Sequence, residues 1–188
     1  MLTKNIYFKE FGIKKNKRKI KSKFLKTLDF YKNHDLVKSF SRNYVYDFNR
    51  SDIKNLKKFK AFNIIGMGGS SLGAKAIYSF MKPKINKNFI FTDNLNSKKD
   101  IQKSKTKNLN IVISKSGNTL ETISNYSSIK GKKNNIFICE NNDNYIRSLA
   151  KKLNSQIINH KNYIGGRYSV LSEVGMLPAI FMGLKPDK

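Results

Sequence analysis

The sequence predicts an α/β fold, a three-layer αβα domain built on a parallel sheet of about five strands, preceded by a basic helical arm. Two observations carry this. From about residue 58 onward, short apolar runs alternate with segments of helical spacing. The runs are apolar at nearly every position rather than at every second one, which marks strands buried on both faces of a sheet. A chain of 188 residues suits one such domain and an arm, but not two full domains.

The arm is expected over residues 1–55. It holds the basic run Lys14-Lys15-Asn16-Lys17-Arg18-Lys19 and then an amphipathic helix with Ile20, Phe24, Leu25, Leu28 and Tyr31 at helical spacing, packed on the main domain. The domain follows over residues 56–188. Its strands are expected at 62–67, 89–92, 109–113, 136–139 and 157–158. One intervening helix carries Leu72, Ala76, Ile77, Phe80 and Met81, and another carries Ile146, Leu149, Ala150 and Leu153. Right-handed crossovers leave few topologies, and a doubly wound sheet of about five strands is expected. Residues 96–108 and 130–135 read as Lys/Asn-rich surface connections. Pro178 interrupts the apolar stretch at 170–184, predicting a kink or a new helix there.

Composition bounds function only loosely. Thirty-eight Lys and Arg against twelve Asp and Glu give a net charge of +26. That attracts phosphorylated metabolites, nucleic acid or acidic lipid without choosing among them. The Lys- and Asn-rich bias runs through the whole chain, so it reads first as compositional. Cys139, the one cysteine, lies in the run Ile136-Phe137-Ile138-Cys139 and is expected to be a buried thiol in a reducing compartment. No signal-peptide core and no membrane-length apolar run is visible, so a cytoplasmic protein is expected.

Chemistry is expected beyond the carboxyl ends of the strands, where the strand order reverses. The loop after the first strand reads Gly66-Met67-Gly68-Gly69-Ser70-Ser71-Leu72-Gly73. Its glycines let a ligand approach the backbone, and the following helix start favours an anion. The loop after the third strand reads Ser114-Lys115-Ser116-Gly117-Asn118-Thr119, with hydroxyls, a cation and another helix start. In the 2-1-3-4-5 order the two loops adjoin, so one phosphate could lie between two helix N-termini. A third segment, Gly165-Gly166-Arg167-Tyr168-Ser169, brings a guanidinium able to stabilise oxyanion charge.

Extended to Ala74, Thr122 and Ser172, these three segments resemble, in order, the motifs of the glucose-6-phosphate isomerase family; the resemblance spans roughly residues 60–184. It implies a SIS-type sugar isomerase fold and the interconversion of glucose 6-phosphate and fructose 6-phosphate through an enediolate. It also implies phosphate binding by Ser70, Ser114, Lys115, Ser116 and Thr119, support from the backbones of Gly68, Gly69 and Gly166, and enediolate stabilisation by Arg167. It implies no metal or other cofactor, and a homodimer at full length. The family's base, a Glu in a downstream Glu-Ser-Asn-Gly-Lys motif, has no counterpart before Lys188. The chain is therefore expected to be truncated before a second SIS domain and nearly inactive alone, with apolar surface exposed at 170–184. Glu173 is expected to be structural or solvated and His160 to be a plain loop histidine.

Three other readings compete. A regulatory SIS module would bind sugar phosphate without catalysis and would not need Arg167. A dinucleotide-binding oxidoreductase would use Asp93 on the ribose, but G-x-G-x-x-G requires glycine where Ser71 stands; Asp93 reads better as a loop or cap residue. Nucleic-acid binding by charge alone explains none of the three motifs. Neither a specific nucleic-acid nor a membrane partner is expected.

Overall fold

The computed structural model describes residues 17–41, 43–95, 108–129 and 134–186. The chain forms two compact units, Met1–Lys38 and Ser39–Lys188. The first holds helices α1 (Lys17–Tyr31) and α2 (Asp35–Lys38). Phe24, Leu25, Leu28 and Tyr31 recur along α1 and are exposed. Residues 14–16 of the basic run, and most of the two Lys/Asn-rich connections, lie outside the described residues.

The second unit is a doubly wound sheet of five parallel strands in the order β2-β1-β3-β4-β5. The strands are β1 (Ala61–Gly66), β2 (Asn88–Thr92), β3 (Asn108–Ile113), β4 (Asn135–Glu140) and β5 (Gln156–His160). Each includes the run expected from sequence, except that β1 stops one residue short of Met67. All six residues of β1 are buried, as the apolar runs predict for strands covered on both faces.

Alternation along the strands divides the core in two. Phe62, Ile64, Ile111 and Ile138 point to one face, where α3 (Gly69–Met81) and α6 (Glu173–Phe181) supply Tyr78, Leu177 and Phe181. Phe89, Phe62 and Phe181 stack there at 4.7 and 5.2 Å between ring centroids. Ile65, Val112, Phe137 and Cys139 point to the other face, under Tyr126 of α4 (Leu120–Ser127) and Ile146 and Ala150 of α5 (Tyr145–Lys152). Three asparagines share that second face. The Asn63 amide donates to Asn110 at 2.8 Å, and the Asn110 amide donates to Asn135 at 3.0 Å. The register pairs these residues directly across β1, β3 and β4. A buried amide needs partners, and this row supplies them side chain to side chain.

Several expectations are revised. Residues 39–59 fold with the sheet rather than with α1: Phe48, Ile53 and Phe59 belong to its core. The stretch at 170–184 is largely covered, since every residue of α6 is buried. Pro178 lies inside α6, which begins five residues earlier at Glu173, so no new helix starts there. His160 is the last residue of β5 and is buried, not a loop residue. On α3 the apolar residues Leu72 and Phe80 are exposed, while Ser71, Ala74 and Tyr78 are buried.

Candidate functional site

Register places the first two motif loops side by side, because Gly66, the last residue of β1, pairs with Ile113, the last residue of β3. This is the switch point of the sheet: β1 leads to α3 on one face and β3 leads to α4 on the other. Both helices start at the carboxyl edge, so both aim N-terminal N–H groups and a positive dipole end toward the same region.

At the start of α3, Gly68 takes φ 54°, which lets the chain turn sharply off the strand. The N–H groups of Ser70 and Ser71 bond back to the carbonyls of Met67 and Gly68 at 3.1 Å. Gly69 marks a close approach. A Cβ there would lie 2.2 Å from the Gly166 carbonyl oxygen, so the first loop and the arginine segment touch backbone to backbone. Ser169 fastens this contact, its hydroxyl lying 2.7 Å from the Gly166 carbonyl and 3.2 Å from that of Gly69. Arg167 sits in the 3-10 turn Gly166–Leu171 and is exposed. The structure thus joins the first and third motifs directly.

The second loop is held from within and from below. The Ser114 hydroxyl is buried, lies 2.9 Å from that of Thr119 and accepts from the Gly117 N–H at 3.2 Å. Ser116 accepts from the Asn118 N–H at 3.3 Å and is exposed. The Lys115 ammonium donates to the Asn162 carbonyl at 2.7 Å and lies 3.5 Å from Glu140. Of the residues expected to meet a phosphate, Lys115 is the one whose charge is already paired. Its bond to Asn162 ties the second loop to the segment leading into Arg167. Thr119 is the N-cap residue of α4, but its side chain makes no capping bond. The first-turn N–H groups of α4 therefore have no cap competing for them.

A third helix, α5, also starts at this edge, yet its N-terminus is occupied. Tyr145 N–H donates to the Asn118 side chain at 2.9 Å, Ile146 N–H to the Gly117 carbonyl at 3.0 Å, and Arg147 N–H to the Asn144 side chain at 2.8 Å. At the start of α3 the Ser70 and Ser71 N–H groups are taken up by the loop's own carbonyls, whereas α4 has no side-chain cap on its first turn.

Three titratable groups near this edge are poor proton-transfer groups for it. Glu173 is fully buried; its carboxylate accepts from the Tyr44 hydroxyl at 2.9 and 3.0 Å and from the Asp47 N–H at 3.0 Å. Burial pushes its carboxyl above the ordinary range despite those donors. It is structural, one of the two roles expected for it. The His160 Nε2 lies 3.1 Å from the Ile164 carbonyl, and burial pushes the ring's pKa down, so it favours the neutral form. Burial likewise pushes the Cys139 thiol up. Asp93 holds Lys75 at 3.0 Å. Among the described residues, no group of three or more His, Cys, Asp or Glu is placed to hold a metal ion.

Sequence reading included Asn118 and Ser169 in their motifs without a loop-holding role and passed over Asn144; all three hold the loops by hydrogen bonds. Asn144 was legible as a helix N-cap directly before Tyr145.

Residues 30–186 match the model of the phosphoglucose isomerase family. The glucose-6-phosphate isomerase of Methanocaldococcus jannaschii is 37% identical over 157 residues, covering 78% of this chain and 39% of that protein. The chain therefore spans about two fifths of the length of this curated relative. A hypothetical protein from Thermus thermophilus superposes at a TM-score of 0.69 and 20% identity, covering 90% of this chain and 45% of the other. Tagatose-6-phosphate ketose/aldose isomerase from Escherichia coli superposes at 0.52 and 13% identity, covering 84% and 42%. The fold is that of the SIS-type sugar isomerases.

Proposed function

The chain belongs to the phosphoglucose isomerase family, and from that premise we propose that it supplies the phosphate cradle and the enediolate-stabilising arginine of a glucose-6-phosphate isomerase. The observation that carries this is the pair of helix starts, α3 and α4, that follow the paired ends of β1 and β3, with Ser70, Ser116 and Thr119 at them and no side-chain cap on α4. A phosphate dianion is the ligand such a pair favours, because N–H donors and dipole ends add their attraction there.

In this reading the sugar extends from the phosphate toward Arg167. A base takes the C2 proton of open-chain glucose 6-phosphate, and the electron pair moves onto the carbonyl oxygen to give the enediolate. The proton returns to C1, the second hydroxyl proton transfers between the oxygens, and fructose 6-phosphate forms. The Arg167 guanidinium stabilises the oxyanion while it exists. None of the carboxylates described above serves as the base: Glu173 is committed to Tyr44 and Asp47, and Glu140 lies beside Lys115. Residues 1–188 alone are therefore expected to bind sugar phosphate with little or no turnover. That also keeps the non-catalytic binding module as the second reading.

Ligand-observed NMR of fructose 6-phosphate with folded 1–188 tests the proposal. Ser70→Ala/Ser116→Ala is the informative variant, because these two hydroxyls contribute little to holding the loops. The affinity is expected to fall about tenfold, the cost of roughly one charge-assisted hydrogen bond. Unchanged affinity in a folded double variant would remove the phosphate from this cradle. Isomerisation by 1–188 that Arg167→Ala abolishes would overturn the expectation of little turnover.

A further inference from the structure

The first turn of α5 lies at the same sheet edge as those of α3 and α4, and it is occupied largely by the neighbouring motif loop. Its three leading N–H groups go to the Asn118 side chain, the Gly117 carbonyl and the Asn144 side chain. Two of the three acceptors belong to the second motif loop. Asn144 is buried, and its amide nitrogen donates to the Glu140 carbonyl at 3.3 Å and to the Asn142 carbonyl and side chain at 3.0 and 2.8 Å. Those bonds fix the orientation of its side-chain oxygen.

That oxygen sits against Gly117. A Cβ on Gly117 would fall 1.9 Å from Asn144 Oδ1, and Gly117 has φ 68°, the left-handed region. The turn of the second loop therefore fits into the capping side chain of the next helix. Below it, Glu140 N–H donates to the Lys115 carbonyl at 3.0 Å. The loop is pinned at residues 115, 117 and 118 from the end of β4 and the start of α5. The hydroxyls of Ser114, Ser116 and Thr119 and the first turn of α4 lie on the loop these contacts hold.

We infer that Asn144 is a positioning residue for anion binding: its side chain latches the turn at Gly117 so that the 114–119 loop is preorganised before the ligand arrives. The inference rests on reading that loop as the phosphate cradle. Preorganisation matters because a loop ordered only on binding spends part of its interaction energy on that ordering. A helix start that holds a loop rather than an anion also accounts for the different treatment of α5 and α4 on one sheet edge.

The test uses the full chain with Asn144→Ala, Asn144→Ser and Gly117→Ala, and two readouts. Amide hydrogen exchange of Gly117 and Asn118 is measured without ligand, and fructose 6-phosphate affinity is measured by NMR titration. Serine can still cap α5 by accepting from the Arg147 N–H, but it is too short to fill the place against Gly117. Asn144→Ser is therefore expected to keep the wild-type melting temperature to within a few degrees. It should still speed Gly117 and Asn118 exchange about tenfold and weaken the ligand about fivefold, with strand amides unchanged. Gly117→Ala should show the same loop signature. If serine restores both loop protection and affinity, Asn144 is only a helix cap and the latch is wrong. Wild-type exchange at Gly117 and Asn118 in Asn144→Ala would also overturn it. Exchange is read in the free chain, so a chain that binds no sugar phosphate counts against the phosphate reading and leaves the latch to be judged on exchange.

Discussion

Glu173 is an ionisable group with no exposure, held by a tyrosine hydroxyl and a backbone N–H from residues 44–47. Replacing it by alanine leaves two donors without their acceptor, each worth about 1–3 kcal/mol when buried. Glu173→Ala should therefore lose about 2–4 kcal/mol in a denaturant titration, a large share of a marginal stability. Glu173→Gln separates charge from shape. Because the folded-state pKa is raised, stability from this group is full below the ordinary carboxyl range and is lost as pH rises through the raised value. The stability of the wild type relative to Glu173→Gln should thus fall from pH 4 toward pH 7; a flat or rising difference would contradict the burial argument. His160 has the opposite sign: its depressed pKa makes acid costly, from the ordinary histidine range downward. Cys139, buried with its thiol pushed up, should resist alkylation at neutral pH until the chain unfolds.

Helix α3 shows how far periodicity reads and where it stops. Its existence followed from the spacing of Leu72, Ala76, Ile77, Phe80 and Met81, and it runs from Gly69 to Met81. Its buried face did not follow, because that face is chosen by close approach and not by hydrophobicity. Gly73 leaves no room beside Val170, with a Cβ there only 2.8 Å from the valine side chain, and Gly69 meets Gly166. The helix must bring its smallest residues to the arginine segment, which turns Leu72 and Phe80 outward at 56% and 85% exposure. Two substitutions test this. Phe80→Lys should change stability by less than about 0.5 kcal/mol, as an exposed position does. Gly69→Ala forces the first and third motifs apart and should abolish fructose 6-phosphate binding while the sheet core stays folded by circular dichroism. The second loop, which we propose holds the phosphate, was singled out from its residues alone. Its supports were not, because the bonds from α5 come from a segment about 27 residues further along the chain.

A doubly wound sheet was legible for the whole molecule because few right-handed arrangements of five largely apolar strands are available, and the observed order is the one in which the motif loops meet at the switch point. The border of the arm was less legible. Residues 39–59 have little periodic structure, and the reasons they belong to the sheet unit are single contacts: Tyr44 and Asp47 on Glu173, Asp47 accepting from the Asn159 N–H at 2.7 Å on edge strand β5, and Phe48, Ile53 and Phe59 in the core. No composition shift marks these. They do predict where the chain can be cut. A chain beginning at Ser39 keeps the five strands, both core clusters and every proposed site residue. It should unfold in one cooperative transition and bind fructose 6-phosphate with the affinity of 1–188. A chain beginning at Lys60 loses three buried core side chains, each worth about 2–5 kcal/mol, and leaves Glu173 buried without its donors. That sum exceeds the roughly 5–15 kcal/mol available to a domain at its lower end, so the shorter chain should fail to fold. Thermal melts of the two truncations decide the point: equal behaviour of both would mean that the segment at 39–59 only decorates the sheet, whereas a folded chain from Ser39 beside an unfolded one from Lys60 makes that segment part of the domain that carries the proposed phosphate site.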